Sequence, residues 1–377
     1  MTTGLYVVGA LGEVGTTLAS GLCALSSGQT STTGLVTAAG PLASAGLVGL
    51  DELVLGGVDV REGDWVSEAG AIVGRGGAIP WQVFRGIEER LVDLGAPDRV
   101  EASTPGPLSR RLELFRSLLK SFQDRQGLDR VVVIDLATTQ APAPREPWTE
   151  DPSALERRLN TREPVTDSLL WCLAAADQGC AHVGFTPSPG FDLPALKPWG
   201  EKIPHAGKDG KTGETLVKSV LAPMFLGRNL KVLGWEGLNL LGNADGEALR
   251  DTARAAGKLA NKDAVLHRIL GDGVPGRTRI DYSPSLGDWK TAWDHIHFEG
   301  FLGVRMQMQF CWQGCDSALA APLCLDLARL MDRALERGDK GPQSHLAVFF
   351  KNPLGTDQVA FSEQMDMLIA QVGNASK

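Results

Sequence analysis

Between His205 and Asp294 the chain gathers Lys211, Lys218, Lys258, Lys262 and Lys290 around Asp209, Asn239, Asn243 and Asp245. They stand in AGKDGKTGETLVKS, LNLLGNADG, GKLANKDAV and DYSPSLGDWKTAWDHI. The protein is acidic, with 45 Asp and Glu against 37 Lys and Arg and a formal net charge of −8, so it has no general need of cations. Lysines next to Gly, Asn and Thr in such a chain mark a local anion site, which we read as a sugar phosphate pocket. An ammonium group stabilises negative charge that develops on a sugar oxygen. A lysine crowded by others also loses its proton more easily, which lets it act as a base. Lys258 and Lys262 are four apart, so on a helix they share a face. Any one of these lysines taken singly reads equally as a solvated surface residue.

A second stretch with chemistry opens the chain. The apolar run Leu5 to Val8 enters GALGEVGTT, and a helix is predicted from Thr16 through Leu25. Gly9, Gly12 and Gly15 are spaced GxxGxxG, not GxGxxG, and that spacing alone also describes a glycine turn between any strand and helix. Its place directly after the first strand points to a dinucleotide. Glycines let the backbone approach a pyrophosphate, and the helix N-terminus supplies N–H groups and partial positive charge. A following strand, GLVTAAG at 34 to 40, ends without the acid that would take the ribose hydroxyls, and the nearest acids are Asp51 and Glu52.

The elements that must position these groups alternate between strand and helix. Gly63 to Gly77 reads as a glycine-punctuated connection, and Trp81 to Leu94 and Pro107 to Gln126 as helices. VVVIDLATT is a buried parallel strand with Asp135, Thr138 and Thr139 at its carboxyl end, where open α/β sheets bind ligands. Pro142 to Pro152 reads as a surface loop, Thr166 to Gln178 as an amphipathic helix capped by Thr166 or Asp167, and CAHVGFTPSPG as a strand ending in a proline loop. Helices are predicted at Lys218 to Leu226, Glu247 to Leu259 and Asp263 to Leu270, and strands at Lys231 to Leu241, Thr278 to Tyr282 and Gly303 to Phe310. A long helix from Asp316 to Leu335, a strand from His345 to Phe350 and a helix from Thr356 to Val372 complete the chain.

A length of 377 residues allows about two domains, and 43% hydrophobic content with 45 Gly fits an α/β protein with many tight turns. Net negative charge without a basic stripe argues against nucleic acid as partner. The amino terminus lacks a basic region and an unbroken apolar core, and no stretch approaches about 18 consecutive apolar residues, so neither signal peptide nor membrane span is expected. Six cysteines without a CxxC pair read as reduced cytoplasmic thiols.

GKDGKTGET, LGNADG, the lysine pair, GDWKTAWD and CDSALAAPL in that order resemble the myo-inositol-1-phosphate synthase family in its shorter bacterial and archaeal form, over nearly the whole chain. The resemblance implies a Rossmann-like NAD-binding domain, residues 1–197 and 311–377, with a second α/β domain for catalysis and tetramerisation, residues 198–310, inserted before the C-terminal segment. It implies NAD as a recycled cofactor, a divalent or monovalent cation of unassigned ligands, and a hexose phosphate substrate. The implied chemistry oxidises C5 of glucose 6-phosphate, enolises at C6, closes C6 onto C1 and reduces C5 again, so the product is an isomer.

Carried over by resemblance, Lys258 accepts the proton at the oxidised hydroxyl, Lys290 and Lys351 stabilise the C5 oxygen, and Lys262 sits near the phosphate. Asp209 and Asp316 orient the lysines. Lys211, Thr212, Gly213 and Thr215 belong to the phosphate-wrapping segment. Asn239 and Asn243 line the cleft, although LGNADG is equally good turn chemistry. On the cofactor side stand Gly9, Gly12, Glu13, Val14, Gly15, Asp135, Thr138, Thr139 and Asp245. Asp59 is carried to the adenosine end, where a surface acid in a hairpin is the alternative.

The chain departs from larger family members at Ala244, which replaces an asparagine, and at Gly257 and Asn261, which replace serines before the paired lysines. Lost polar contacts change which sugar a site accepts, so a sibling cyclase acting on fructose 6-phosphate is a second reading, and a non-catalytic NAD-binding regulator a third. Asp281, Asp288, Asp294, His295 and His297 cluster in sequence but lack the spacing of a metal motif.

Overall fold

In this computed structural model, residues 2–103, 105–242, 265–271 and 273–373 are described. Thr3–Val8 forms β1, buried at every position, as expected of a strand covered on both faces. It pairs in parallel with β2 (Leu53–Asp59) on one side. The edge strand β3 (Asp98–Arg99) pairs with the far side of β2, and β4 (Arg130–Asp135) pairs with β1 on its other side. The sheet continues through β5 (Ala181–Gly184) and β6 (Pro204–Gly207).

A second sheet holds β7 (Lys231–Leu241), β8 (Gly276–Tyr282), β9 (Trp289–Glu299) and β10 (Arg305–Cys315). The short β11 (Gly341–Pro342) returns to β6. The large sheet therefore has seven strands in the order β11-β6-β5-β4-β1-β2-β3, all parallel, and the small one four in the order β10-β9-β7-β8. The large sheet runs past residue 197 to Gly207, and the small sheet past residue 310 to Cys315.

Helices cover both faces of the large sheet. On one lie α1 (Glu13–Ser26), α2 (Trp65–Gly74) and α3 (Trp81–Asp93), on the other α4 (Leu108–Gln126). The short α5 (Pro147–Glu150) and α6 (Pro152–Leu159) precede α7 (Asp167–Asp177), which joins α4. After the turn α8 (Lys197–Gly200), α9 (Glu214–Gly227) packs Ala222 and Phe225 on Trp235 and Ile296 of the small sheet. The last helices are α10 (Asp316–Glu336), packed beside α1, and α11 (Phe361–Val372).

Several expectations change. Residues 34–40 form no strand but a 3-10 turn at Val36–Ala38, because the backbone N–H groups of Val36 and Thr37 donate to Asp326 on α10 at 2.7 and 2.9 Å and not to a neighbouring strand. The connection 63–77 contains α2, capped where Asp64 accepts from the Ser67 N–H. The loop 142–152 buries Trp148 with the Arg158 guanidinium 5.0 Å over its ring. The helix expected to be amphipathic, α7, is buried from Ser168 to Ala176, and Thr166 makes no side-chain cap. The apolar run 344–349 is a 3-10 helix and not a strand; a short apolar run carries no period to separate the two. The terminal helix starts at Phe361, five residues late.

Candidate active site

The glycine turn lies where the strand order reverses between β1 and β4, the usual ligand crevice of such sheets. Gly9 has φ +79°, and a Cβ there would lie 2.8 Å from the Ala137 backbone; one at Gly15 would lie 2.5 Å from the Ala10 carbonyl oxygen. Gly12 caps α1 with no side chain, leaving its first turn, with Glu13 and Val14, free of a side-chain cap. Asp59 ends a parallel strand, so the hairpin alternative is overturned. Its carboxylate accepts from the Leu11 and Arg61 N–H groups, each at 2.9 Å, and so braces the glycine turn.

Asp135 is buried at the end of β4, where it accepts from the Ala137 N–H at 3.0 Å, and burial pushes its carboxyl up to about 7. Thr138 and Thr139 follow it, the first exposed. Burial also raises the Glu13 carboxyl, with nearby Asp288 adding to this and Arg75, at 3.2 Å, opposing it.

The loop after β6 joins the remaining groups. Asp209 takes a left-handed conformation, φ 65°, one that Asp tolerates better than most residues. Its carboxylate meets the Lys351 ammonium at 2.6 Å. The loop pairs with 349–352 through N–H donors of Lys208, Lys211 and Lys351. Three residues on, the Thr212 hydroxyl donates to Asp316 Oδ1 at 3.1 Å, and Asp316 lies 3.8 Å from the Lys290 ammonium. Gly213 then opens α9 without a side-chain cap, with Thr215 buried in its first turn. Asp209, Lys351, Thr212, Asp316 and Lys290 are thus tied through one short loop.

Other lysines go elsewhere. Lys211 is 3% exposed and donates to the Gln364 carboxamide on α11, and burial lowers its ammonium to about 7. Lys218 lies on the buried face of α9, beside Glu214 and Asp294. Asn239 is fully buried on β7 and neither atom of its amide has a partner. Lys258, Lys262, Asn243 and Asp245 lie outside the described residues, as does the helix expected at 247–259. Residues 265–270 are helical. His295 and His297 face away from Asp294 across β9, and among the described residues no group of three or more His, Cys, Asp or Glu could hold a metal.

The parallel sheet in its 3-2-1-4-5-6 order, the glycine turn and the second sheet define an α/β protein of the Rossmann-like class. The family model Myo-inositol-1-phosphate synthase matches residues 213–317, so the chain is similar to that family over the small sheet and the segments that flank it. It is 35% identical over 256 residues to inositol-3-phosphate synthase 1 of Bacteroides thetaiotaomicron, covering 64% of this chain and 59% of that protein. To the human inositol-3-phosphate synthase 1 it is 31% identical over 245 residues, 62% of this chain and 44% of that one. The chain therefore spans less than two thirds of the length of these relatives.

Its fold is that of the Caenorhabditis elegans inositol-3-phosphate synthase, TM-score 0.84 at 21% identity, covering 99% of this chain and 85% of that one. A myo-inositol-1-phosphate synthase-related protein of Thermotoga maritima superposes with TM-score 0.79 at 21% identity, covering 99% of both.

Sequence reasoning missed Gln364 and the Glu214–Asp294 pair around Lys218. The latter carried one signal: Glu214 and Lys218 are four apart on a helix.

Proposed function

We propose that the protein is an NAD-dependent isomerase that closes D-glucose 6-phosphate into 1D-myo-inositol 3-phosphate by oxidation, enolisation, aldol closure and re-reduction. The observation that carries this is the single loop, 208–213, from which Asp209 reaches Lys351 and Thr212 reaches the Asp316–Lys290 pair. Two ammonium groups, each beside a carboxylate that fixes it, suit a reaction in which charge appears on sugar oxygens at successive steps. In this reading Lys351 and Lys290 hold the C5 oxygen, and Asp209 and Asp316 orient them. Thr212, Gly213 and Thr215 hold the phosphate with hydroxyls and helix N–H groups, while Asn239 offers its amide to a sugar hydroxyl; Lys211, expected in the same role, is instead taken up by Gln364. Lys258 takes the proton from the oxidised hydroxyl and Lys262 serves the phosphate end.

The residues present fit a dinucleotide. The turn excludes a side chain at Gly9 and Gly15, and the first turn of α1 has no side-chain cap. Gly9 to Gly15 with Asp59, Asp135, Thr138, Thr139 and Asp245 would hold NAD, which when bound takes up a hydride and returns it. Residues 1–197 with 311–377 form the nucleotide half in this reading, and 198–310 the half that binds sugar and assembles. Among the described residues no helix is long and apolar enough to cross a membrane, and all six cysteines are free thiols; both support a cytoplasmic enzyme. Trp289 and Trp293 stand exposed on the outer face of the small sheet, which supports assembly through that sheet into a homotetramer.

The test is incubation of the purified protein with NAD⁺ and ¹³C-labelled glucose 6-phosphate, with fructose 6-phosphate in parallel, and identification of products by NMR. An inositol phosphate from the first sugar alone is expected. A five-membered carbocycle from fructose 6-phosphate, or NADH accumulating in step with product, would overturn it.

A further inference from the structure

We propose that Lys218 is a positioning residue that neutralises Glu214 in the first turn of α9 and so sets the charge a substrate phosphate meets there; this rests on the glucose 6-phosphate reading above. The Lys218 ammonium lies 2.6 Å from Glu214 Oε1, 3.7 Å from Asp294 Oδ1 and 3.2 Å from the Thr278 hydroxyl. Trp235 Nε1 donates to the same Asp294 oxygen at 2.7 Å. Lys218 and Asp294 are fully buried and the Glu214 side chain is 1% exposed. The cluster thus ties α9 to β7, β8 and β9 at once.

Apolar packing would serve a helix on a sheet at lower cost, since burying charges carries a desolvation penalty that even good pairing barely offsets. The fold makes room for the cluster. Gly237 faces it from β7, where a Cβ would lie 2.9 Å from Glu214 Oε1 and 3.2 Å from Asp294 Oδ1. On β9, Asp294, Ala292 and Lys290 share the inner face, so Lys290 stands about 13 Å along the strand from the cluster. The opposed residues of β7 are Gly237, Asn239 and Leu241. One face therefore runs from a closed ion cluster, past the unpartnered Asn239 amide, to the lysine assigned to the sugar.

Glu214 follows Gly213 at the opening of α9. A carboxylate there favours the helix dipole but repels an anion bound to the same N–H groups. Lys218, one turn on, cancels that repulsion from beneath while leaving the N–H groups facing outward. Removing Lys218 makes the cluster more negative by one charge under the phosphate; removing Glu214 as well restores the original net charge with less packing, not more.

The full-length protein, loaded with NAD⁺, is titrated with glucose 6-phosphate and with inorganic phosphate. Lys218→Met should weaken both at least tenfold with NAD⁺ affinity within twofold of wild type, and the double variant Lys218→Met/Glu214→Gln should recover most of the loss. A double variant no better than the single one makes the cluster a packing element and overturns the proposal. Should Lys218→Met not fold, Asp294→Asn decides. It keeps an oxygen for Trp235 while removing a negative charge, so phosphate must bind at least twofold tighter, and unchanged or weaker binding overturns the proposal. Failure of the wild type to convert glucose 6-phosphate would remove the cyclase reading alone, since the inorganic phosphate series reads the charge effect without turnover.

Discussion

The Lys351 ammonium sits 2.6 Å from Asp209 Oδ1, and the Lys351 backbone N–H donates to the Asp209 carbonyl at 2.7 Å. Main chain and side chain together fix the amine against a loop in a left-handed turn, with the two side chains 10% and 6% exposed. Asp209→Ala leaves that ammonium buried without its carboxylate. Chemical denaturation should show a loss of about 3 kcal/mol. Lys351→Ala should depress turnover by several orders of magnitude with NAD⁺ affinity nearly intact if, as proposed, its charge acts on the transition state. Near-normal turnover in Lys351→Ala would remove Lys351 from the chemistry.

Lys290 is held more loosely, 3.8 Å from Asp316. Lys290→Ala should therefore lower turnover by several orders of magnitude while also raising KM for the sugar phosphate. Lys120, paired with Asp124 on the exposed face of α4, is the control. Steady-state kinetics on Lys120→Ala should match wild type, and a comparable loss there would mean the assay reports general damage.

The large sheet was legible because its strands are buried on both faces: the runs at 3–8 and 130–135 are continuous, and the helices between them carry a clear period. The second strand was not, since GLVTAAG has strand composition but gives its N–H groups to Asp326, about 290 residues away in sequence. Asp326 betrays nothing of this, sitting mid-helix among apolar neighbours. The site was legible as residue types and only partly as geometry. Asp209, Thr212, Lys290, Asp316 and Lys351 come together, whereas Lys211 and Lys218, read from the same motif, turn into the interior. Helix face decides for Lys218: its position on α9 is set by Ala222 and Phe225, which pack on the sheet four and seven residues later.

Gly15 tests the cofactor turn. A methyl group there would lie 2.5 Å from the Ala10 carbonyl oxygen, which is backbone and cannot swing aside. Gly15→Ala should weaken NAD⁺ binding at least tenfold by fluorescence titration, with secondary structure retained by circular dichroism. In the wild type, the proposed recycling of the cofactor requires that absorbance at the NADH band stay flat while product accumulates.

Lys211 yields a pH dependence of defined sign. Burial lowers its ammonium from the ordinary 10.5 to about 7 in the folded chain, with Gln364 as the partner of its amine. Above about pH 7 the unfolded chain holds a proton that the folded chain does not, so the contribution of this residue to stability rises with pH until about 10.5 and is flat below 7. Lys211→Met removes the titration. At pH 7 the variant escapes the cost of neutralising or burying the amine, on the order of a few kcal/mol. At pH 10 most of that advantage is gone, and the lost hydrogen bond to Gln364 works against it. The melting temperature of the variant relative to wild type should therefore fall steadily from pH 7 to pH 10. Comparing the two proteins at each pH cancels the titration of every other lysine. A difference that stays constant across this range would mean that Lys211 remains charged in the folded protein, held by an anion and not by the Gln364 carboxamide.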